Sequence, residues 1–296
     1  MAVVAFFGLG SMGLPMAVNL LKAGHEVRVM VHRSPSGPEE AVRHGAVLVS
    51  SLKDMLSGAD FVISVVPDDR AVLDVYENAQ FGQFVEKGCI VLEMSSCTPE
   101  AVRRVEDLCR PRGVRVLDAP ITGARPKAVA GTLVVLGAGK DADFEAASPV
   151  LSAMAEKVFR LGEVGTGKTI KAMTNLLGAV NLAAVGEFYR FASALGLDME
   201  TLAAVTRESA GGSTQFSRNF GRMVKGDYEP VFTLGLMLKD MEIAMRCAAG
   251  QPGLHMPLAE CAVALYRGAS AYEQKDCSSI ALVDAPAENE KRGATA

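Results

Sequence analysis

Six residues near the start of this chain, Gly8-Leu9-Gly10-Ser11-Met12-Gly13, restrict its fold more than any other feature. Val3-Val4-Ala5-Phe6-Phe7 before them is an apolar run of buried-strand length. Residues 14–23 after them read as an amphipathic helix closed by Gly24. Glycines at a strand-to-helix turn specify a dinucleotide site, which the pattern alone would not. Gly8 permits the tight turn, Gly10 lets a pyrophosphate approach the backbone, and Gly13 lets the helix pack on the strand. Leu9, Ser11 and Met12 complete the loop, and the helix N-terminus offers free N–H groups and partial positive charge to the phosphate.

The next strand, residues 26–31, ends at the adenine ribose of such a site. An NAD site places Asp or Glu there, about 20 residues on. This chain has His32, Arg33 and Ser34 and no carboxylate. A guanidinium and a hydroxyl suit a 2′-phosphate. The cofactor read from the sequence is NADP, with NAD as a weaker possibility; an ordinary solvated loop arginine is the alternative for Arg33.

With 296 residues the chain has room for about two domains. Its 49% hydrophobic and 22% charged residues are those of a soluble globular protein. The net charge of −4 argues against a nucleic-acid partner. No apolar run approaches the roughly 20 residues of a membrane span. The first strand starts directly after Ala2, so the expected location is cytoplasmic, with no leader. Cys89, Cys97, Cys109, Cys247, Cys261 and Cys277 form no CxxC pair and read as buried free thiols. The four histidines show no metal-ligand spacing, so no metal is expected.

Apolar runs alternate with helical patterns as far as residue 161. They are Ala46-Val47-Leu48-Val49, residues 61–66, Cys89-Ile90-Val91-Leu92, Val114-Arg115-Val116-Leu117, Leu133-Val134-Val135-Leu136 and residues 157–161. This alternation predicts a mainly parallel, doubly wound sheet. Val66-Pro67, followed by Asp68-Asp69, and Ser95-Ser96-Cys97-Thr98-Pro99 then fall at the carboxyl edge, where such sheets bind ligands. Ser96 contacts the cofactor or merely caps the helix near Glu100. After residue 165 only helical patterns remain. Residues 170–195 form one long helix, apolar nearly all round, as in a domain core or a dimer interface. Gly196 ends it, and Asp198 caps the next. Further helices are expected over 218–224, 234–249 and 257–272. The predicted domains are 1–162, binding the cofactor, and 163–283, all-helical, with a disordered tail over 284–296.

Gly162-Glu163-Val164-Gly165-Thr166-Gly167-Lys168-Thr169 satisfies the phosphate-loop pattern. An NTPase built on it would need further parallel strands and a metal-binding Asp after it. The chain offers only helical patterns there, so this reading is rejected.

The same stretch extends to Lys171 and Asn175. Together with Met16-Ala17-x-Asn19-Leu20 after the glycine loop, Asp118-Ala119-Pro120-Ile121-Thr122-Gly123 and Lys239-Asp240, it resembles the β-hydroxyacid dehydrogenases, the 3-hydroxyisobutyrate dehydrogenase family. The resemblance implies a Rossmann-like first domain, an all-α second domain joined by a long helix, and a homodimer or homotetramer. It makes Lys171 the catalytic lysine and Asn175 its neighbour one turn along. It places Thr122-Gly123-Ala124 on the loop that holds a substrate carboxylate, usually Ser-Gly-Gly. It assigns Ser96 to the cofactor, and Lys239 to both nicotinamide and substrate. Ala124 replaces a Gly, Glu93 an Asp and Thr174 an Asn; His32 replaces the Asn of an NADP-type tip.

The chemistry is coherent without the family. Hydride transfer at a carbinol carbon needs a proton moved on or off its oxygen, which a lysine can perform. Desolvation or a neighbouring cation, Lys168 or Lys239, would lower that lysine's pKa. Asn175 lies on the same helix face as Lys171. Solvated surface lysines are the alternatives for Lys171 and Lys239. The sequence thus predicts an NADP-preferring dehydrogenase acting on a small 3-hydroxy acid, a carboxylate substrate. The rivals are a related NADPH-dependent glyoxylate or imine reductase and a non-catalytic NADP-binding scaffold. Lys171 argues against the imine branch, and Lys171 with Asn175 against the scaffold.

Overall fold

The computed structural model describes residues 1–283; the tail expected over 284–296 lies outside the described residues. The fold comprises β1 (Val3–Phe7), α1 (Gly13–Lys22), β2 (Glu26–Val29), α2 (Ser36–Arg43), β3 (Val47–Leu48), α3 (Leu52–Leu56), β4 (Phe61–Ser64), α4 (Asp69–Tyr76), α5 (Ala79–Phe84), β5 (Ile90–Glu93) and α6 (Pro99–Cys109). It continues through β6 (Arg115–Asp118), β7 (Ile121–Thr122), α7 (Ala124–Ala130), β8 (Leu133–Gly137), α8 (Asp141–Met154) and β9 (Ala155–Arg160). The remaining helices are α9 (Thr166–Ala194), α10 (Met199–Arg207), α11 (Thr214–Lys225), α12 (Leu234–Ala249) and α13 (Pro257–Gly268). Two compact units divide between Lys171 and Ala172, within α9.

In the first unit six parallel strands run in the order β3-β2-β1-β4-β5-β6. The order reverses at β1, which opens a crevice at the carboxyl ends of β1 and β4. β4 and β5 are buried throughout, including the polar Ser64 and Glu93 at their carboxyl ends, as central strands covered on both faces are. Alternate side chains of each strand supply two separate cores. Val4 and Phe6 pack with Met16, Ala17 and Leu20 of α1 and Phe144 and Val150 of α8. Ala5, Val62 and Val91 pack on the other side with Met55 of α3 and Val102 and Val105 of α6.

The last two predicted strands leave this sheet. β8 and β9 pair in parallel, and β7, which the sequence did not suggest, pairs antiparallel with β8 in a separate three-stranded sheet. Pro120 has no N–H with which to extend a ladder, so the chain turns off after Asp118. Its carbonyl instead accepts from Leu136 N–H at 2.9 Å.

The second unit is helical. α9 to α13 surround a core that includes Leu176, Leu182, Phe216, Phe220, Met241 and Tyr266. Gly196, at φ +65°, ends α9, and Asp198 caps α10 through Thr201 N–H as expected. α9 is not apolar inside a core on every side. Met173, Leu177, Phe191 and Leu195 are exposed. Cys261 of α13 is exposed too, not buried as expected. Among the described residues no helix is long and apolar enough to cross a membrane, and no cluster could hold a metal ion.

Candidate active site

The glycine loop sits at the carboxyl end of β1. Gly8 has φ +93°, and a Cβ there would overlap the Val65 carbonyl oxygen; one on Gly13 would overlap the Gly8 carbonyl oxygen. Around Gly10, by contrast, a Cβ would meet nothing within 4 Å. α1 has no side-chain cap and no acidic residue in its first turn. The loop is closed where strand and helix must touch and open where a pyrophosphate would lie, so it fits a dinucleotide.

The helix that follows the second-strand tip starts against this loop. Gly37 of α2 packs so closely on the Leu9 carbonyl that no side chain fits there. Ser36 N–H donates to Ser34 Oγ at 3.4 Å, and the two hydroxyls are 3.0 Å apart. His32, Arg33 and Ser34 are exposed. Among the described residues no carboxylate pairs with Arg33.

At the ends of β4 and β5, Val66 N–H donates to Ser95 Oγ at 2.9 Å, and that hydroxyl reaches the Ser64 carbonyl at 3.4 Å. Ser95, placed at the carboxyl edge by the sequence but given no role of its own there, therefore ties the Val66-Pro67 turn to the loop that carries Ser96. Ser96 is half-buried and does not cap α6. Thr98 does, accepting from Ala101 N–H, while Asp69 holds Thr98 at 2.7 and 2.8 Å. The only signal for this was the Thr-Pro pair, a cap followed by N1 proline.

The predicted carboxylate loop follows β6. Thr122 is exposed, and Gly123 and Ala124 are half-buried. Gly123 has φ +140°, and Ala124 at φ +55° is the sole non-glycine in the left-handed region among the described residues.

The start of α9 corrects the reading of Lys168. Its side chain is fully buried, with Nζ 2.6 Å from Glu93 Oε2, 2.8 Å from the Glu93 carbonyl and 3.4 Å from Asp118 Oδ1. Asp118 Oδ2 accepts from Gly165 and Lys168 N–H at 2.8 and 3.2 Å. The donors that a phosphate loop would offer to a nucleotide are taken by the protein's own carboxylate, so that pattern is inert here. Burial opposes the Lys168 charge, but Glu93, Cys97 and Asp118 outweigh it and hold the ammonium above its usual range. Burial pushes the Asp118 carboxyl up against the pull of Lys168 and the two N–H groups. Lys168 is thus already compensated, and it is not the free cation that would depress a neighbouring lysine. Lys171, one turn on, is half-buried.

In the second unit, Asn175 Nδ2 donates to Asp240 Oδ2 at 2.5 Å, and Lys239 Nζ lies 3.5 Å from Asp240 Oδ1. Asp240 is buried, and its Oδ1 accepts no hydrogen bond. It fixes the donor end of the Asn175 amide. In the sequence Asp240 has a place in a motif but no role, because the contact joins helices 65 positions apart.

Two family models cover the chain: the NAD-binding domain of 6-phosphogluconate dehydrogenase over residues 3–162, and the NAD-binding domain of NADP-dependent 3-hydroxyisobutyrate dehydrogenase over 165–285. The chain is 34% identical to an NAD-dependent L-serine dehydrogenase of Pseudomonas aeruginosa, over 89% of this chain and 91% of that one. It superposes on a 3-hydroxyisobutyrate dehydrogenase of Mycobacterium tuberculosis with L-serine at a TM-score of 0.87 and 30% identity, covering 95% and 98% of the two chains. A 3-hydroxyisobutyrate dehydrogenase from Salmonella typhimurium gives 0.85 at 26% identity, covering 95% and 99%.

Proposed function

This chain belongs to the β-hydroxyacid dehydrogenase family, and on that premise we propose an NADP-preferring oxidoreductase that interconverts a small 3-hydroxy acid and its semialdehyde. The observation that carries this reading lies within the first unit. One sheet edge presents an open glycine loop, a second-strand tip without a carboxylate, and the Thr122-Gly123-Ala124 loop, and the helix bearing Lys171 is anchored to that same edge.

The glycine loop would hold the pyrophosphate of a nicotinamide cofactor, which would supply the hydride in reduction and take it in oxidation. Lys171 as the ammonium gives a proton to the carbonyl oxygen as negative charge develops there. As the neutral amine it removes that proton when the alcohol is oxidised. The Thr122 hydroxyl and the N–H groups of Gly123 and Ala124 hold the substrate carboxylate. Asn175, turned by Asp240, hydrogen-bonds the substrate or the lysine, and Lys239 adds positive charge for substrate and cofactor. Arg33, with Ser34 and His32, receives the 2′-phosphate. Chains of this kind work as a homodimer or homotetramer in this reading.

The test is turnover of a panel of 3-hydroxy acids, L-serine among them, with NADP and NAD, in wild type and Arg33→Ala. NADP should serve better, and the variant should raise its KM at least tenfold, the loss of one charge-assisted contact of roughly 1.5–3 kcal/mol. The KM for NAD should barely move. Wild type preferring NAD, or both constants rising together, would refute the NADP assignment.

A further inference from the structure

We propose that Lys168, Glu93 and Asp118 form a buried ionic keystone that positions Lys171, so that Lys168 is a positioning residue for proton transfer although it touches neither substrate nor cofactor. The proposal rests on the reading of Lys171 as the acid and base.

The three charged side chains are among the most completely enclosed in the molecule: Lys168 is 1% exposed, Glu93 and Asp118 0%. Each belongs to a different segment of the predicted site. Glu93 ends β5, and its Oε1 accepts from Ser95 N–H and from Ser64 Oγ, both at 3.1 Å. Ser64 Oγ is in turn 2.6 Å from Tyr76 Oη, and Cys97 Sγ donates to Glu93 Oε2 at 3.3 Å. Glu93 therefore governs the loop of Ser95 and Ser96. Asp118 ends β6, just before the turn to Thr122, and caps the first amides of α9. Lys168 sits in the first turn of α9, three residues before Lys171. Residues at that spacing lie on one face of a helix, about 4.5 Å apart along its axis.

The joint is also steric. A Cβ on Gly167 would overlap the Leu136 carbonyl and come within 3.0 Å of Asp118 Oδ2. The helix start is therefore pressed onto β6 and β8 with no room to slide, and the ionic cluster sets its rotation. A buried charged cluster is a poor device for stability, since apolar groups of similar volume often do as well, but it allows fewer arrangements. Displacing a catalytic group by about 1 Å can cost on the order of 100-fold in rate. A cluster that fixes the helix by directional bonds is thus in a position to control that distance.

Lys168→Met alone would strand two buried carboxylates, so the test uses Lys168→Met/Glu93→Gln/Asp118→Asn. The two introduced amides retain carbonyl acceptors for Ser95 and Gly165 N–H, while the charges are removed. The readouts are the melting temperature, the cofactor Kd by NADPH fluorescence, kcat with L-serine or a faster panel member, and the deuterium isotope effect at the carbinol carbon. The triple variant should fold and keep its Kd within threefold, lose 10- to 100-fold in kcat, and show a larger isotope effect on kcat. A loss of folded or active molecules would lower kcat and leave the isotope effect alone. That result, or kcat within twofold of wild type, would overturn the proposal. If the triple variant does not fold, Asp118→Asn alone decides: at least a fivefold fall in kcat with a raised isotope effect is expected, and wild-type values refute it. Lys171→Ala run in parallel separates the two layers. Full turnover by that variant would sink the general-acid reading itself, whereas an inactive Lys171→Ala beside a fully active triple variant would sink only the keystone.

Discussion

Ala124 stands where the family resemblance calls for glycine, and its backbone keeps the glycine conformation at φ +55°. An L-residue in that region carries about 1–2 kcal/mol of strain. Replacing Ala by Gly normally costs about 0.5–1 kcal/mol through the unfolded chain. At this site relief of strain should cancel that cost, so Ala124→Gly is expected to melt at or above the wild-type temperature. It should also turn over bulkier hydroxy acids better, because the loop that is proposed to hold the carboxylate loses a methyl. A stability loss above about 0.5 kcal/mol would mean that the backbone is not strained there. The alanine was legible in the sequence, but its strain was not, because only the folded loop fixes φ.

Elements were read from the sequence wherever the signal was local. The β1–glycine–α1 turn, the long helix and the Asp198 cap follow from neighbours within a few positions. The separate sheet of β7, β8 and β9 did not, since β7 is two residues long and its partner lies a dozen positions on. The Lys168 cluster was hidden for a stronger reason. Its other members lie 50 and 75 positions from Lys168, and no local spacing joins them. α9 carries a further consequence. Met173, Leu177, Ala184, Phe191 and Leu195 fall within one narrow exposed stripe. Such a stripe suits a second copy of the helix, and Leu177→Glu/Phe191→Glu should lower the mass seen by light scattering. An unchanged mass, or a monomeric wild type, would assign the stripe to something else. The turn after α11 makes a pH prediction. Burial disfavours the Asp276 charge, but hydrogen bonds from Ser278, Val231 and Phe232 outweigh it and hold the carboxyl below its usual range. A carboxyl depressed in the folded state stabilises above its unfolded pKa, about 4, and that stability fades as pH falls through the lower folded value. Asp276→Asn, which also leaves Arg222 at 3.0 Å without its charge partner, should cost roughly 1–3 kcal/mol at pH 7. In denaturant titrations that difference should shrink below about pH 4; a constant gap would contradict it.

For the molecule as a whole, family and fold agree across both units. The family resemblance gives the proton to Lys171, and that assignment is the claim to test. Lys168 and Lys171 lie three residues apart in different surroundings: one is enclosed between two carboxylates, and the other is half-buried one turn further on. The decisive measurement is therefore kcat of Lys171→Ala beside its affinity for NADPH, followed by fluorescence. Removing a general acid and base costs about 10²–10⁴-fold, or roughly 3–5 kcal/mol of barrier, without touching the cofactor loop. A loss of that size with NADPH affinity intact is the expected result. Turnover within tenfold of wild type would contradict the central claim that Lys171 carries the chemistry.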